Sequence, residues 1–273
     1  MTEKVIVNEF DSEEFKELCR LYGHGMNHSL KADINKSATD VSAPFIRDVE
    51  IRYDRADFFE KMKKSVEHDR RGEAVFCVIK NCASGNDEVD REQTQTQTQT
   101  QTQTQTQTQT QTQTQTQTQT QTQTQKHIVL ITCSEYPPGI FRVPSGGVRY
   151  GENPSLAALR EVKEELGLTA VIRDFAGVIR IKFIHKDDCF MFYSYLFILD
   201  ETGGKLLIDA TDDEISEIRL ASIDEIAEAA EALGNISGTW RDWGRFRQVT
   251  TRAVYGIMRQ YTYPRGSDYL QSI

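Results

Sequence analysis

Carboxylates crowd one short stretch of this chain. Between Gly146 and Leu168 the residues run GGVRYGENPSLAALREVKEELGL, which sets Glu152, Glu161, Glu164 and Glu165 around a single Arg160. Residues three and four apart are neighbours on a helix, so Glu161, Glu164 and Glu165 are expected to converge along one side. Each like-charged pair so placed costs roughly 0.2 to 0.5 kcal/mol, and two of the three sit in the last turn, where the helix dipole disfavours negative charge. Arg160 offsets part of that repulsion, but one guanidinium does not balance three carboxylates. A hard divalent cation does: Mg2+ takes a few carboxylates together with phosphate oxygens and water, and Mn2+ is a second candidate. The bland alternative, an acidic solvated helix face, would be the default for a bare EVKEE. The glycines in front of it and the spacing weigh against that default.

Local signals say what must hold these side chains. Asn153 is a good N-cap, Pro154 suits the first helical position and Gly167 is typical just past a helix end, so the spacing predicts a helix from about Pro154 to Leu166. Leu156, Leu159, Val162 and Leu166 recur at helical spacing and form its expected apolar stripe. Ahead of the helix, Pro144, Ser145, Gly146 and Gly147 are read as a loop leaving a short strand. The two glycines there let backbone approach a ligand closely.

The same stretch resembles the signature of the Nudix hydrolases: glycine, five residues, glutamate, seven residues, Arg-Glu, an aliphatic residue, any residue, Glu-Glu, any residue, glycine, aliphatic. Gly146, Glu152, Arg160, Glu161, Val162, Glu164, Glu165, Gly167 and Leu168 fill every fixed place. The resemblance spans about residues 72 to 234, less an insert. It implies an α/β/α sandwich with a mixed sheet, and hydrolysis of a nucleoside diphosphate linked to another moiety by metal-activated water. It further implies that Glu161, Glu164 and Glu165 hold Mg2+ with help from Glu152 and from the main-chain carbonyl at Ser145, where relatives often have glycine. Arg160 then orients the glutamates, while Gly146, Gly147 and Arg142 form the phosphate site. Relatives often add a carboxylate from a loop beyond the signature; Glu214 or Asp213 is the candidate here. The general base stays open between Glu161 and Glu214. So does the substrate, because IKFIHK carries neither the proline nor the tyrosine that marks some subfamilies. A nucleotide sensor without hydrolysis is the competing reading, and retention of every signature carboxylate favours the enzyme.

The chain has 273 residues, of which 93 to 125 are an unbroken Gln-Thr alternation. The remainder suffices for one sizeable core with flanking elements. The repeat is expected to be a disordered, passive expansion; its alternative is an assembly module. A net charge of -9 argues against general nucleic-acid or anionic-membrane binding. Five scattered cysteines, with no paired spacing, fit a reducing compartment. With neither a signal-like start nor a membrane-length apolar run, a cytoplasmic protein acting on a small molecule is the expectation.

Three regions are anticipated: a helical extension over 1–71, the Nudix domain over 72–234 and a basic, aromatic helix over 235–273. In the first, Asp11 with Glu14 and Phe10 with Phe15 predict a helix ending near Tyr22, and Asp54 is expected to cap a second. His24 and His28 are read as loop residues. EAVFCVIK and HIVLITC read as strands of a hairpin whose tip holds the repeat; a tip about eight times longer costs only roughly 2 kcal/mol in closure entropy. Gly177–Ile184 and Cys189–Leu199 form a second hairpin, its later strand apolar on both faces and so central in a covered sheet. Ser222 and Glu225 predict a capping box for IDEIAEAAEAL. The last helix is expected to pack its aromatics on the core or on a second copy in a homodimer, its arginines pairing with acidic residues.

Overall fold

A computed structural model describes residues 8–23, 44–81, 126–207 and 215–262. The Gln-Thr tract, His24, His28, Asp213 and Glu214 lie outside the described residues. The chain divides into two compact units, Met1–Lys80 with Lys126–Ile273, and Asn81–Gln125. The fold described here is that of the first.

Its centre is a mixed sheet of seven strands: β1 (Phe45–Arg52), β2 (Arg70–Asn81), β3 (Lys126–Thr132), β4 (Ser145–Arg149), β5 (Leu168–His185), β6 (Asp188–Gly204) and β7 (Glu217–Ala221). The order is β1-β5-β6-β2-β3-β7, with β4 paired antiparallel to β2 off that path. β5 and β6 form the expected hairpin, longer than anticipated and closed at Lys186 and Asp187. Both β1 on β5 and β2 on β6 run parallel. β6 is covered on both sides: Phe190, Phe192, Leu196 and Ile198 join one apolar cluster, and Tyr193, Tyr195, Phe197 and Leu199 the other.

Helices supply those covers. α1 (Ser12–Tyr22) and α3 (Pro154–Leu166) bury Phe15, Leu18, Ala158, Val162 and Leu166 on one face of the sheet. α2 (Ala56–His68), α4 (Ile223–Gly234) and α5 (Arg241–Thr262) bury Phe59, Met62, Val66, Ile226 and Phe246 on the other. The result is the α/β/α sandwich. Asp11 caps α1 by accepting from the Glu13 and Glu14 amides, and Ser222 with Glu225 closes a full capping box on α4.

Four local expectations change. The region read as a helical extension also contributes β1, whose Phe45 and Ile51 are buried in the core. Ser145, Gly146 and Gly147 belong to strand β4 rather than to a loop, set antiparallel opposite Val75, Ala74 and Glu73 of β2. α2 begins after Arg55, not Asp54, whose carboxylate pairs with Arg241 at 2.7 Å instead. The buried stripe of α3 runs through Ala157, Ala158, Val162 and Leu166, leaving Leu156 61% exposed. Small side chains at that contact let the helix approach the sheet closely, a fit that leucine would block.

Candidate active site

The signature helix is built as its local chemistry dictates. Asn153 accepts from the Ser155 amide at 2.9 Å, Pro154 occupies the first turn, and Gly167 adopts φ 70°, a left-handed conformation that glycine takes without strain. A side chain at Gly167 would also strike the Lys205 carbonyl.

Arg160 organises the carboxylates. Its guanidinium donates to Glu152 (2.9 Å), Glu161 (2.7 Å), Glu164 (2.9 Å) and the Gly147 carbonyl (3.0 Å). Those bonds set neighbouring carboxyls apart. Burial comes first for Glu161 and, with the negative charge of Glu164 and Glu152 added, holds its pKa above the ordinary value despite Arg160. Burial also pushes Glu152 up, but Arg160 and the Arg149 amide prevail and leave it below.

Beside this cluster lies a cleft of about 870 Å³, lined by Glu161, Glu165, Ser145, Gly146, Gly147, Arg70, Arg142 and Arg247. Glu164 and Glu152 are not among its walls. Glu161 and Glu165 line the cleft, while Glu164, its side chain 57% exposed, meets Glu161 on the same Arg160 nitrogen. Among the described residues no group of three or more His, Cys, Asp or Glu is arranged to hold a metal ion. Glu161 and Glu165 are of the donor type that a hard cation takes, and both line the cleft. Two carboxylates with nearby backbone oxygens are what Mg2+ uses when substrate phosphates complete its shell. Glu161 also packs directly on the Gly146 backbone, where any Cβ would collide with its carboxyl carbon. That close approach explains the glycine.

A second charged cluster went unread in the sequence. Glu73, 1% exposed, accepts from Ser194 Oγ (2.8 Å), Ser145 Oγ (3.0 Å) and Arg247 (2.6 Å). Arg247 and Arg142 both donate to Ser145 Oγ as well, at 2.9 and 3.2 Å. Burial alone would raise the Glu73 pKa, yet Arg247, Ser194 and Arg70 together hold it below the ordinary carboxylate value. Register explains the first contact: Glu73 on β2 lies opposite Ser194 on parallel β6. The available signal was a lone acid leading the apolar run AVFCVI; Arg247 offered none. Serine at position 145 is thus tied by its hydroxyl into this network.

The cleft's remaining wall is aromatic. Tyr136, Trp240 and Trp243 line it, Trp240 from the 3-10 turn Gly238–Trp240 and Trp243 from the first turn of α5. Tyr136 accepts from Arg142 at 3.1 Å, so this wall is joined to the arginines of the cleft.

The profile of the NUDIX domain family matches residues 118–243. The chain carries a Nudix domain. Over 80 residues it is 38% identical to an ADP-ribose pyrophosphatase of Methanocaldococcus jannaschii, a stretch covering 29% of this chain and 46% of the relative. The chain thus spans about half the length of that curated relative. Among solved structures, a UDP-X diphosphatase is 12% identical with a TM-score of 0.37, covering 78% of this chain and 74% of its own. A C. elegans Ap4A hydrolase is 15% identical at 0.36, covering 69% and 97%. A NUDIX hydrolase from Nitrosomonas europaea is 14% identical at 0.38, covering 75% and 97%. Likeness at this level says nothing of substrate. The Nudix match reaches Trp243, into the region that the sequence reading had set apart as a C-terminal extension. No helix among the described residues is long and apolar enough to cross a membrane.

Proposed function

We propose that this chain is a pyrophosphohydrolase that cleaves the diphosphate bond of a nucleoside diphosphate linked to another moiety. The observation that carries this reading is the meeting, in one cleft, of Glu161 and Glu165 with Arg70, Arg142, Arg149 and Arg247 and the glycine-bearing strand β4. The cleft thus offers guanidinium partners for phosphate charge and carboxylates for a cation.

Glu161 and Glu165 would hold Mg2+, or Mn2+ in its place, with the Ser145 carbonyl nearby. A divalent ion there supplies neutralisation of phosphate charge and a lowered pKa for bound water. The chain's own groups do the rest. Arg247, Arg142 and Arg70 bind and orient the diphosphate. Glu161, on the wall of the cleft, would accept the proton of the attacking water. Arg160 keeps that carboxyl in place through its 2.7 Å bond.

The relative with 38% identity is an ADP-ribose pyrophosphatase, so ADP-ribose heads the test panel, followed by dinucleoside polyphosphates, nucleotide sugars and nucleoside triphosphates. The wild-type chain should release a nucleotide from at least one of them only when Mg2+ or Mn2+ is present. Glu165→Gln should lower that turnover about 100-fold or more while leaving the circular dichroism unchanged. Turnover by Glu165→Gln within a factor of three of wild type would defeat the proposal.

A further inference from the structure

The turn that carries Glu152 is held from outside the signature. Arg149, Tyr150 and Gly151 are exposed there. Glu152 closes the turn twice: its amide donates to the Arg149 carbonyl at 3.1 Å, and its carboxylate accepts from the Arg149 amide at 3.0 Å. Arg71, on β2, reaches the same residue and donates to the Glu152 carbonyl at 2.8 Å. The Arg71 guanidinium is itself oriented by Glu14 of α1, which accepts from both terminal nitrogens, and by the Tyr195 hydroxyl at 2.8 Å. Side chains 13% and 16% exposed leave little water to compete with this forked pair, so Arg71 and Glu14 hold one geometry. Both residues precede the segment that the NUDIX profile matches.

We propose that Glu14 and Arg71 are positioning residues for the hydrolysis: through this ion pair the N-terminal helix holds the Glu152 turn so that Arg160 stays set against Glu161. The claim rests on the hydrolase reading for what Glu161 does, while the relay itself is a run of bonds. Glu152 accepts from Arg160 at 2.9 and 3.1 Å, and Arg160 donates onward to Glu161 at 2.7 Å. Glu164, which shares Arg160, is open to water and can exchange its bond for solvent. Glu152 is therefore the partner that keeps this guanidinium in place, and the Arg71 bond fixes the main chain of Glu152. Without that bond the exposed turn is freer to move, and Arg160 and Glu161 shift with it. Small displacements of reacting groups cost turnover far more than they cost stability. Asn8 anchors the same N-terminal segment by a separate route, donating to the main-chain carbonyls of Arg71 and Met191 at 2.6 and 3.2 Å. It does not touch the Arg71 guanidinium and so supplies a control.

The test introduces Arg71→Met, Arg71→Lys, Glu14→Gln and Asn8→Ala one at a time into the full-length chain. Turnover of the panel substrate that the wild type cleaves gives kcat and KM. Hydrogen exchange, read by mass spectrometry without substrate, follows the amides of 149–153, and urea unfolding gives stability. Arg71→Met should lower kcat about 10-fold with KM within about twofold, and should speed exchange over 149–153 about 10-fold or more. Glu14→Gln should act in the same direction by about threefold, since Arg71 keeps its bonds to Tyr195 and Glu152, and it carries the test if Arg71→Met does not fold. Arg71→Lys keeps a donor for the Glu152 carbonyl but not the fork, and should recover part of the loss. Asn8→Ala should lower the urea midpoint and leave kcat within about twofold. The relay is overturned if Arg71→Met and Glu14→Gln both retain wild-type kcat or if exchange over 149–153 does not change. It is equally overturned if Asn8→Ala lowers kcat as far as Arg71→Met, because general loosening would do that. Should exchange follow the expected order while the wild type cleaves no member of the panel, the hydrolase reading fails and the hold on the turn stands. Should the wild type cleave with the relay variants its equals, the relay fails and the hydrolase stands.

Discussion

Two arginine and carboxylate clusters border the cleft, and they are built in opposite ways. Arg160 gathers Glu152, Glu161 and Glu164 at a partly open helix surface, where its side chain is 22% exposed and that of Glu164 57%. Glu73 gathers Arg247, Ser145 and Ser194 inside the protein, where its side chain is 1% exposed. Water reaches Glu164 in the first cluster but not the Glu73 carboxylate in the second. The first is therefore free to rearrange when a ligand arrives, whereas the second behaves as a fixed post to which β4 and α5 are tied. Similar groups serve two ends because solvent reaches only one of them.

Mutations can break or sharpen this contrast. Arg247→Met strands the buried Glu73 carboxylate and should destabilise the protein by about 3 to 5 kcal/mol in urea unfolding. A loss under about 1 kcal/mol would erase the distinction between the clusters. Ser194→Ala removes one hydrogen bond to the same charged group and should cost about 1.5 to 3 kcal/mol by the same measurement. Arg160→Met should cost less than Arg247→Met, about 1 kcal/mol, since Glu164 can turn to solvent. Its effect should appear in turnover instead, as an approximately tenfold or larger fall with an unchanged unfolding midpoint.

The two clusters also differ in their response to acid. The folded-state pKa of Glu73 lies below its unfolded value, so its contribution is present above about pH 4.3, the ordinary glutamate value, and is lost as pH falls through the depressed folded value. The stability gap between wild type and Glu73→Gln should stay level above about pH 5 and narrow below about pH 4. A gap that widened on acidification would reverse the sign assigned to this carboxyl.

The contrast explains what could be read without coordinates. The Arg160 cluster lies within one continuous stretch, so helix periodicity and two caps suffice to predict which side chains become neighbours. Even there, rotation of the helix was missed: Leu156 was expected inward, and the alanines took its place. The Glu73 network joins residues 72, 121 and 174 positions apart, contacts set by strand register and by where α5 docks. No local pattern encodes those. Strand β4 was misread for a related reason. Its glycines suggested a turn, whereas Gly146 sits in an ordinary ladder and is small because Glu161 lies against it. Helices α1 and α4 were legible from their caps, and the central position of β6 from its two apolar faces. β1 was overlooked because FIRDVEIR alternates apolar with charged residues only loosely, as befits an edge strand.

That edge strand has a consequence for biosynthesis. Phe45 pairs with Gly177, so on the ribosome β1 emerges well before the segment it will lie beside. At translation speeds of about 5 to 20 residues per second, the wait is roughly 7 to 26 s. Throughout it, the apolar side chains of β1 have no sheet to join, and the Gln-Thr tract is threaded out in the meantime. A nascent chain so arranged needs shelter for its early hydrophobic segment, and slowing elongation within the repeat should raise its dependence on chaperones.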